Sequence, residues 1–432
     1  MQEKLKAKIK NADKGFISII FSSGINLIFR IFGLITSFLT TMMVTRLFGI
    51  DTHGNYSLVF TIAQATAMIF ALGIPSALIK IVGNNNLNFL QAKKILLKAI
   101  KVTAGFSIIP ILVFSFGADY ISEEFFNNSK LVNYFFIITL SMPLFIFHEI
   151  FLYFFIAVKK FRLYNLFMFV LPNFFLIIFL LLFYYFNQPE HYTFLAFAIS
   201  IFIVVVMEAI AIFELNPKKE SSFVSTKELV KIASPLMFSG LMLYLLNWTA
   251  VIMLGMMMTD KDVGIYNVAY RVGTVGFLII ISVNLIIMPK MAELYGQKNM
   301  VELKKLIHRS TKLIAVLSVP IVLVLIIFRE FILSIFSAEA VEGSTSLIII
   351  AVGVLFSAIC GNVDQILNMT NNERLFRNIA IFCFFVNVAF NYLLIPYYGI
   401  EGAAMSSLIT NVLLNAIGLF YMKKKLGFYT FA

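Results

Sequence analysis

Residues 15–47 read GFISIIFSSGINLIFRIFGLITSFLTTMMVTRL, an apolar stretch with Arg30 in its middle. As a helix, this stretch is about 48 Å long, enough to cross a bilayer with overhang. Arg30 would then lie about 22 Å from the inner end. A cation at that depth is costly unless it faces protein, water or an anion. The stretch therefore predicts a membrane helix whose single central charge has a specific partner.

One face of this predicted helix is polar. Five residues recur at a spacing of three or four, which places them on a single helical face. They are Asn26, Arg30, Gly33, Ser37 and Thr41. The other faces carry Ile, Leu and Phe, as lipid-facing surfaces do. We expect the polar stripe to form one wall of a cavity that handles anions.

The composition of the whole chain is typical of a membrane protein. Of its 432 residues, 60% are hydrophobic and 13% are charged, and the mean hydropathy is +0.93. A soluble domain of this size needs far more charge on its surface, so we expect an all-α integral membrane protein. The apolar stretch behind the basic residues 1–14 is too long for a signal peptide, so the first helix should remain in the mature chain.

Hydropathy predicts twelve membrane-spanning helices. They lie at residues 15–47, 54–80, 92–118, 131–157, 163–186, 191–214, 231–258, 263–292, 306–328, 344–369, 375–396 and 400–422. Most of the 34 lysines and arginines fall in the two termini and in alternate connections. This is the positive-inside pattern, so the net charge of +12 predicts two cytoplasmic termini and does not indicate nucleic-acid binding. The basic inner rim also suits anionic lipid headgroups.

The chain resembles itself at two positions. Gly54-Asn-Tyr56 opens the second predicted span, and Gly264-Ile-Tyr266 opens the eighth. Each of these spans also carries a proline near its end, Pro75 or Pro289. Six spans per half with the same starting side predict two parallel repeats about an axis along the membrane normal. We expect an N-terminal six-helix bundle at residues 1–220 and a C-terminal one at residues 221–432.

Arg271 is the second cation inside a predicted span, about 12 Å from the outer end of the eighth. It shares a helical face with Asn267 and Thr274. Because the first and eighth spans belong to different halves, we expect Arg30 and Arg271 to flank one central site. The guanidinium group binds phosphate through paired hydrogen bonds and stays charged. A structural ion pair is the alternative role for either arginine.

Other polar residues inside the spans are also candidates. Three of them would line a cavity or bond neighbouring helices: Asn247, Gln64 and Tyr266. His148 and Glu149 lie deep in the fourth span, where an ion pair and the binding of a coupling proton or cation both remain open. Glu208 and Asp364 lie near predicted cytoplasmic ends, where we expect them to reach water or cap a helix. Asp364 also remains a candidate for ion coupling.

Catalytic motifs are missing from the sequence. It contains no HExxH, GxSxG, P-loop or CxxC motif, and its four histidines are scattered. We therefore expect no enzyme, no metal site and no cofactor, and a transport process driven by the membrane potential or by coupling to H⁺ or Na⁺. The two cysteines, Cys360 and Cys383, lie in apolar segments and are expected to be packing residues.

Several segments resemble one family of membrane proteins, the polysaccharide transporters of the multidrug/oligosaccharidyl-lipid/polysaccharide exporter superfamily. These are the Wzx-type flippases of O-antigen and capsule repeat units. The matching segments are Arg30, TRLFG at 45–49 with GNY at 54–56, GIYNVAYRV at 264–272, DQILNMTNNERLFRN at 364–378, and PYYGIEGAAMSSL at 396–408. The resemblance covers nearly the whole chain, and the last segment is the most specific.

The resemblance implies a fold and a function. The fold is twelve helices in two six-helix bundles that form a V around a central cavity. The function is movement of a polyprenyl-diphosphate-linked oligosaccharide from the inner to the outer leaflet of the bacterial cytoplasmic membrane by alternating access. Arg30 and Arg271 would hold the diphosphate, with Asn26 and Asn267 beside them. A functional monomer in the bilayer, working beside a polysaccharide polymerase, is the expected setting.

Differences from related proteins argue against lipid II as the substrate and against multidrug export. Lipid II flippases carry a second arginine shortly after the position of Arg30, where this chain has Leu34-Ile-Thr36. Many multidrug relatives carry an acidic residue in the first span, which this chain lacks. The alternatives are a cation-coupled multidrug antiporter, which favours acidic cavity residues, and a membrane scaffold, which needs no charge at mid-bilayer.

Overall fold

The computed structural model describes residues 28–84, 87–213, 225–361 and 363–431, and every regular element in these ranges is a helix. The helices of the first half are α1 (Ile28–Phe48), α2 (Ile50–Phe70), α3 (Ile74–Asn84), α4 (Phe89–Phe106), α5 (Ile108–Tyr120), α6 (Leu131–Ala157), α7 (Phe161–Asn165), α8 (Leu171–Tyr185) and α9 (Tyr192–Phe213). Short π-helical turns end α1, follow α5 and join α7 to α8. Their wider winding is a local departure from the regular α-helical hydrogen-bond pattern.

Eight further helices make up the second half. They are α10 (Thr226–Met257), α11 (Asp260–Gly273), α12 (Phe277–Gly296), α13 (Met300–Ile327), α14 (Arg329–Ser334), α15 (Ser344–Cys360), α16 (Val363–Met369) and α17 (Glu373–Leu426). The start of α11 is fixed by a capping box, in which Thr259 and Asp262 satisfy each other's backbone N–H groups. The acidic Asp260 and Asp262 also favour this N-terminus through the helix dipole.

The predicted second span is a broken helix. α2 and α3 meet at a bend of 49°. Leu72 and Gly73 adopt positive φ angles of 55° and 70° at this break, and Pro75 follows directly. A Cβ atom at position 73 would overlap the Ala233 carbonyl of α10, so only glycine fits. The chain therefore bends directly before Pro75.

α17 is a helical hairpin with a reversal at Gly399. Gly399 has φ 54° and ψ −132°, outside the helical region. Asn387 Nδ2 donates to Thr410 Oγ1 over 3.0 Å, which requires residues 373–398 and 400–426 to run antiparallel. The close approach of Gly402 to the Leu394 carbonyl fits the same reversal. The last two predicted spans are thus two separate arms.

The described residues contain nine helices that are long and apolar enough to cross a membrane, or ten when α2 and α3 count as one span. Among the described residues, Tyr244–Met257 of α10 forms a further, shorter apolar helix. An all-helical, multi-pass architecture is therefore present, whereas the number twelve and the V arrangement stay predictions. The predicted boundary at residues 220 and 221 lies outside the described residues.

α10 packs against both halves of the chain. It lies along α2 and α3 of the first half and along α17 of the second. Leu254 of α10 belongs to the apolar core formed by α2, α3, α6 and α9. A second core, between Ile280 and Phe428, is built from second-half helices alone. The polar and aromatic side chains of α10 are consequently placed where the two halves meet.

Candidate functional site

The two Gly-x-Tyr segments meet face to face. A Cβ atom on Gly54 would overlap the Asp260 carbonyl, and a Cβ atom on Gly264 would overlap the Ile50 carbonyl. Each glycine thus packs against the backbone carbonyl that lies four residues before the other glycine. The contact between α2 and α11 is therefore reciprocal. Glycine allows this contact because it has no side chain. We call this region, at the starts of α2 and α11, the closed end.

Side chains also join the halves at the closed end. Asn55 donates from Nδ2 to Asp260 Oδ2 over 3.0 Å, and Asn128 donates from Nδ2 to Asp260 Oδ1 over 2.6 Å. Asn128 donates to Asn55 Oδ1 as well, over 3.0 Å. The end of α1 adds a bond from Thr45 Oγ1 to the Phe336 carbonyl over 2.9 Å. One carboxylate of the second half is therefore held by two amides of the first.

Arg271 crosses the junction of the halves and bonds the polar stripe of α1. Its Nη1 atom donates to Ser37 Oγ and Thr41 Oγ1, each over 2.8 Å. Ser37 and Thr41 are one helical turn apart on the stripe that sequence spacing predicts. These partners are uncharged, and no carboxylate pairs with Arg271 in the part of the chain that the structure describes.

Asn267 lies one turn before Arg271 and is buried, with 1% of its surface exposed. It interacts with His53 of α2, itself 1% exposed. Tyr266, also expected to line a cavity, is 1% exposed, and its hydroxyl lies 3.3 Å from Ser407 Oγ of α17. Both residues therefore pack within the junction and present little free surface in this conformation.

Arg30 lies on the same stripe of α1, about 10 Å from Ser37 along the helix axis. Its guanidinium carbon is 6.0 Å from the centre of the Phe169 ring, a cation–π contact with the turn that precedes α8. Within the described ranges, no acidic side chain forms an ion pair with Arg30. Asn26, its predicted neighbour, lies outside the described residues. The structure thus puts both arginines along one face of α1.

A row of aromatic side chains follows the junction beside Arg271. The rings of Tyr244 and Trp248 on α10 are stacked with centres 6.1 Å apart. Trp248 lies 5.9 Å from Tyr270 of α11, and Tyr270 lies 6.0 Å from Tyr266. The Tyr244 hydroxyl donates to the Thr61 carbonyl of α2 over 3.2 Å. The row therefore extends from the first half to the second.

A cavity of about 60 Å³ with both polar and apolar walls opens next to this row, inside the second half. Asn247 and Tyr270 form part of its wall. The remaining polar lining comes from Thr274, directly after α11, and from four residues of α17: Asn387, Ser407, Thr410 and Asn411. No ionisable acid or base lines it, so this cavity offers only amide and hydroxyl groups for hydrogen bonding.

The acidic residues of the first half have different partners from those expected. Gln64 Nε2 donates to Glu149 Oε2 over 3.2 Å, so Glu149 is held by an amide and not by an arginine. His148 Nδ1 lies 3.1 Å from Glu208 Oε2. The expectation that Glu208 reaches water is wrong, because its side chain is fully buried between α6 and α9.

Asp364 is not part of this junction. It lies on α16, which packs against α12 and α17, and it accepts a hydrogen bond from Gln365. In the ranges that the structure describes, no group of three or more His, Cys, Asp or Glu side chains could hold a metal ion. The features that bring the halves together include the glycine contact, the arginine contacts, the asparagine–aspartate cluster and the aromatic row.

Sequence reasoning identified several members of the junction and missed others. It named Arg271, Asn247, Gln64 and Tyr266 but not Trp248, Tyr270 or the Asn55–Asn128–Asp260 cluster. A signal for the row does exist, because Trp248 follows Tyr244 by four residues and Tyr270 follows Tyr266 by four. That spacing stacks side chains on one helical face.

Comparison with known proteins identifies the family. A model of the family described as polysaccharide biosynthesis protein matches residues 18–295, more than half of the chain. The chain belongs to this polysaccharide biosynthesis protein family. A second model, described as MatE, matches residues 235–393. The predicted membership of the multidrug/oligosaccharidyl-lipid/polysaccharide exporter superfamily is confirmed.

Curated relatives of this family member include two proteins of glycan biosynthesis. The chain is 24% identical over 202 residues to the probable low-salt glycan biosynthesis flippase Agl15 of Haloferax volcanii, which covers 46% of this chain and 43% of that protein. It is 25% identical over 201 residues to the capsular polysaccharide biosynthesis protein CapF of Staphylococcus aureus, which covers 46% and 50%. The chain thus spans half or less of the length of these relatives.

Solved structures show the fold of the family member. An inward-facing multidrug resistance MATE family transporter of the MOP superfamily superposes with a TM-score of 0.77 at 14% identity, over 91% of this chain and 94% of that one. A MOP superfamily transporter from Pyrococcus furiosus superposes with a TM-score of 0.66 at 14% identity, over 95% of each chain. The fold is therefore that of MATE transporters.

Proposed function

We propose that this protein is a flippase that moves polyprenyl-diphosphate-linked oligosaccharide repeat units across the bacterial cytoplasmic membrane. The observation that carries the proposal is the position of Arg271. Its guanidinium group lies where the two halves meet, and its hydrogen bonds in the described part of the chain go to hydroxyl and carbonyl oxygens of α1. A cation at this position suits anionic cargo, because it attracts an anion and repels a cation.

The physical argument concerns the cost of burial. A guanidinium ion in the membrane interior is expensive unless an anion compensates for it, and a diphosphate in hydrocarbon has the same difficulty. When the guanidinium ion and the diphosphate pair, each lowers the free-energy cost of burying the other. Arg30, on the same face of α1, adds a second cation about 10 Å from Ser37 along the helix axis. The planar fork of arginine fits phosphate oxygens through paired hydrogen bonds.

For the architecture, we propose twelve crossings in two six-helix bundles, residues 1–220 and 221–432, arranged as a V. The two antiparallel arms of α17 supply two crossings, although α17 counts as one helix by length and hydropathy. The apolar part of α10 supplies one more crossing. The reciprocal contact of Gly54 and Gly264 supports a two-fold relation between the halves.

We propose that the closed end faces outward, because the positive-inside rule places both termini in the cytoplasm. The conformation described then shuts the outer side, and the substrate would enter from the inner leaflet. Alternating access would separate α2 from α11 and release the contacts of Asp260. The bend of 49° between α2 and α3 offers a place for the bundles to rock.

Transport in this direction has a ready source of energy. The cell interior is negative, so moving two negative charges outward gains about 4–5 kcal/mol at about 100 mV. Coupling to H⁺ or Na⁺ through Glu149, His148 or Asp364 is an additional proposal. The polyprenyl tail would stay in the bilayer, the protein would act as a monomer, and a polysaccharide polymerase would receive the product.

One observation favours a second candidate, a cation-coupled multidrug antiporter. Glu149 is an acid close to the junction, bonded only by Gln64 among the described residues. An antiporter would use this carboxylate for a cationic drug. The position of Arg271 opposes it, because a cation at the junction repels cationic cargo. Loss of cationic dye export on Glu149→Gln would support this candidate.

A genetic experiment tests the flippase proposal with the natural substrate. In cells of the source organism that lack the protein, lipid-linked oligosaccharide should accumulate at the inner leaflet and surface glycan should fall. Wild-type protein should restore surface glycan, and Arg271→Gln should not. Normal surface glycan in cells that lack the protein and every related transporter would refute the proposal.

A further inference from the structure

The aromatic row of Tyr244, Trp248, Tyr270 and Tyr266 has features that internal packing does not require. Three of its rings, those of Tyr244, Trp248 and Tyr270, keep part of their surface exposed. Asn247, next to Trp248 on the same helix, is exposed although it lies in a membrane span. An exposed amide in hydrocarbon is costly, so this side of α10 faces a polar space.

The groups around the row have a common chemistry. The polar part of the wall of the adjoining cavity, which measures about 60 Å³, consists of amides and hydroxyls such as Asn247, Asn387 and Asn411. On the first-half side, Gln64 bonds Glu149, whose carboxylate lies close to the Tyr244 hydroxyl. Aromatic faces flanked by amides, hydroxyls and a carboxyl group suit a ligand with apolar C–H faces and many hydroxyls. Sugars in the pyranose form have both.

Chain geometry links the row to Arg271. Tyr270 precedes Arg271 directly, so their Cα atoms are about 3.8 Å apart and their side chains leave α11 in directions about 100° apart. A diphosphate held by Arg271 would carry its first sugar within reach of the Tyr270 ring. Trp248 and Tyr244 then continue the row away from the arginine.

We propose that Tyr270, Trp248 and Tyr244 form the sugar-binding surface of the substrate site. The first sugars of the lipid-linked oligosaccharide stack their C–H faces on these rings, and Asn247 and Asn411 bond the hydroxyls. This inference rests on the proposed flippase function, because it assigns the part of that substrate beyond the diphosphate. In this proposal, the residues that recognise the sugars all belong to the second half.

Trp248 makes the inference directly measurable, because it is the only tryptophan in the chain. Its fluorescence in phosphatidylcholine nanodiscs would report contact at this position and nowhere else. Two probes are compared. One is lipid-linked oligosaccharide extracted from source cells that lack the protein, and the other is polyprenyl diphosphate without sugar. The oligosaccharide should change the Trp248 emission at saturation, and the sugar-free lipid should leave it nearly unchanged.

Variants separate stacking from general packing. Tyr270→Leu should weaken binding of the oligosaccharide lipid about tenfold, while binding of the sugar-free lipid should change little. Tyr270→Phe should retain most of the affinity, since the ring remains. Tyr397→Leu is the matched control, because Tyr397 is 83% exposed on the α17 hairpin and is not a member of the aromatic row. It should bind both lipids as wild type does.

The possible results are distinct. Binding of the oligosaccharide lipid with an unchanged Trp248 signal and no effect of Tyr270→Leu would overturn the sugar-binding surface and leave the flippase proposal standing. Equal effects of Tyr270→Leu on both lipids would also overturn it, because the residue would then act on the diphosphate or on folding. Failure of wild-type protein to bind either lipid would refute the flippase proposal and this inference together.

Discussion

Arg271 and Arg30 occupy the same face of α1 but in different ways. Arg271 reaches it from α11 and is fixed by two hydroxyl oxygens at 2.8 Å. Arg30 belongs to α1 itself and, among described residues, rests 6.0 Å from a phenylalanine ring. Arg271 holds the two halves together, and its charge is not neutralised by a described carboxylate. Arg30 is held by a cation–π contact, which leaves its hydrogen-bond donors available for an anion. We therefore expect Arg271 to combine substrate binding with closure and Arg30 to contribute charge.

The largest effect should come from removing the charge at the junction. Arg271→Gln should lower transport of the lipid-linked oligosaccharide about 100-fold or more, because a buried hydrogen-bonded charge partner of the diphosphate is lost. Initial rates in proteoliposomes measure this. A melting temperature close to that of wild type in the same lipid would show that folding is intact. Transport within threefold of wild type would remove Arg271 from the site.

The next effect concerns the contact that places Arg271 against α1. Gly54→Ala should force α2 from α11, because the new methyl group would overlap the Asp260 carbonyl. The measurement uses a background that carries Cys360→Ala, Cys383→Ala and Ser37→Cys, so that the one thiol lies on α1. In this background, Gly54→Ala should raise labelling at position 37 by a membrane-impermeant maleimide from outside several-fold.

Gly83→Ala in the same background is the matched control, since no atom lies within 4 Å of its added Cβ. It should leave the labelling rate at position 37 as it is without the substitution. Unchanged labelling in Gly54→Ala would mean that the closed end does not control access to this part of α1.

Lysine substitutions should separate the two arginines. Arg271→Lys should lose about tenfold in transport rate, because the ammonium group cannot reproduce the planar fork that reaches Ser37, Thr41 and the diphosphate together. Arg30→Lys should lose about threefold or less, because its contribution is charge. Rates measured at two salt concentrations would check this, and equal losses for the two variants would contradict the distinction.

A similarly small effect should come from the loss of one hydrogen-bond acceptor of Arg271. Ser37→Ala removes a hydroxyl at 2.8 Å but leaves Thr41 in place, so transport should fall only about threefold. Thr36→Val is a suitable control, because the Thr36 hydroxyl bonds carbonyls of its own helix and not Arg271. Rates for the two variants in one proteoliposome preparation make the comparison. A larger loss in Thr36→Val would show that α1 is sensitive to any change.

The polar stripe of α1 shows what sequence spacing can and cannot predict. Periodicity places Ser37 and Thr41 on one face, and the structure puts a cation there. Spacing does not tell which helix approaches that face, because Arg271 lies 234 residues from Ser37 along the chain. The Gly-x-Tyr repeats are also visible in the sequence, because each is a short motif of neighbouring residues. Their reciprocal contact was not, because it depends on packing between α2 and α11.

Buried charge was the least predictable feature. Glu208 lies near a span end, which suggested that it reaches water. Hydropathy averages over a helix and does not say which side faces the bundle interior, where His148 of α6 provides its partner. Glu149 shows the same difficulty. Its depth in the span favours an ion pair, but its hydrogen bond comes from the uncharged amide of Gln64. Pairing of polar groups inside a bundle is decided by tertiary contacts that a single sequence does not display.

One measurement tests the central claim most directly. A fluorescent polyprenyl-diphosphate-linked oligosaccharide is placed in one leaflet of proteoliposomes under an imposed membrane potential, and its transfer is followed for wild type, Arg30→Gln and Arg271→Gln. We predict transfer by wild type and nearly complete loss in both variants, with the stronger loss in Arg271→Gln. Transfer by wild type that continues unchanged in both variants would contradict the claim that these arginines hold the diphosphate.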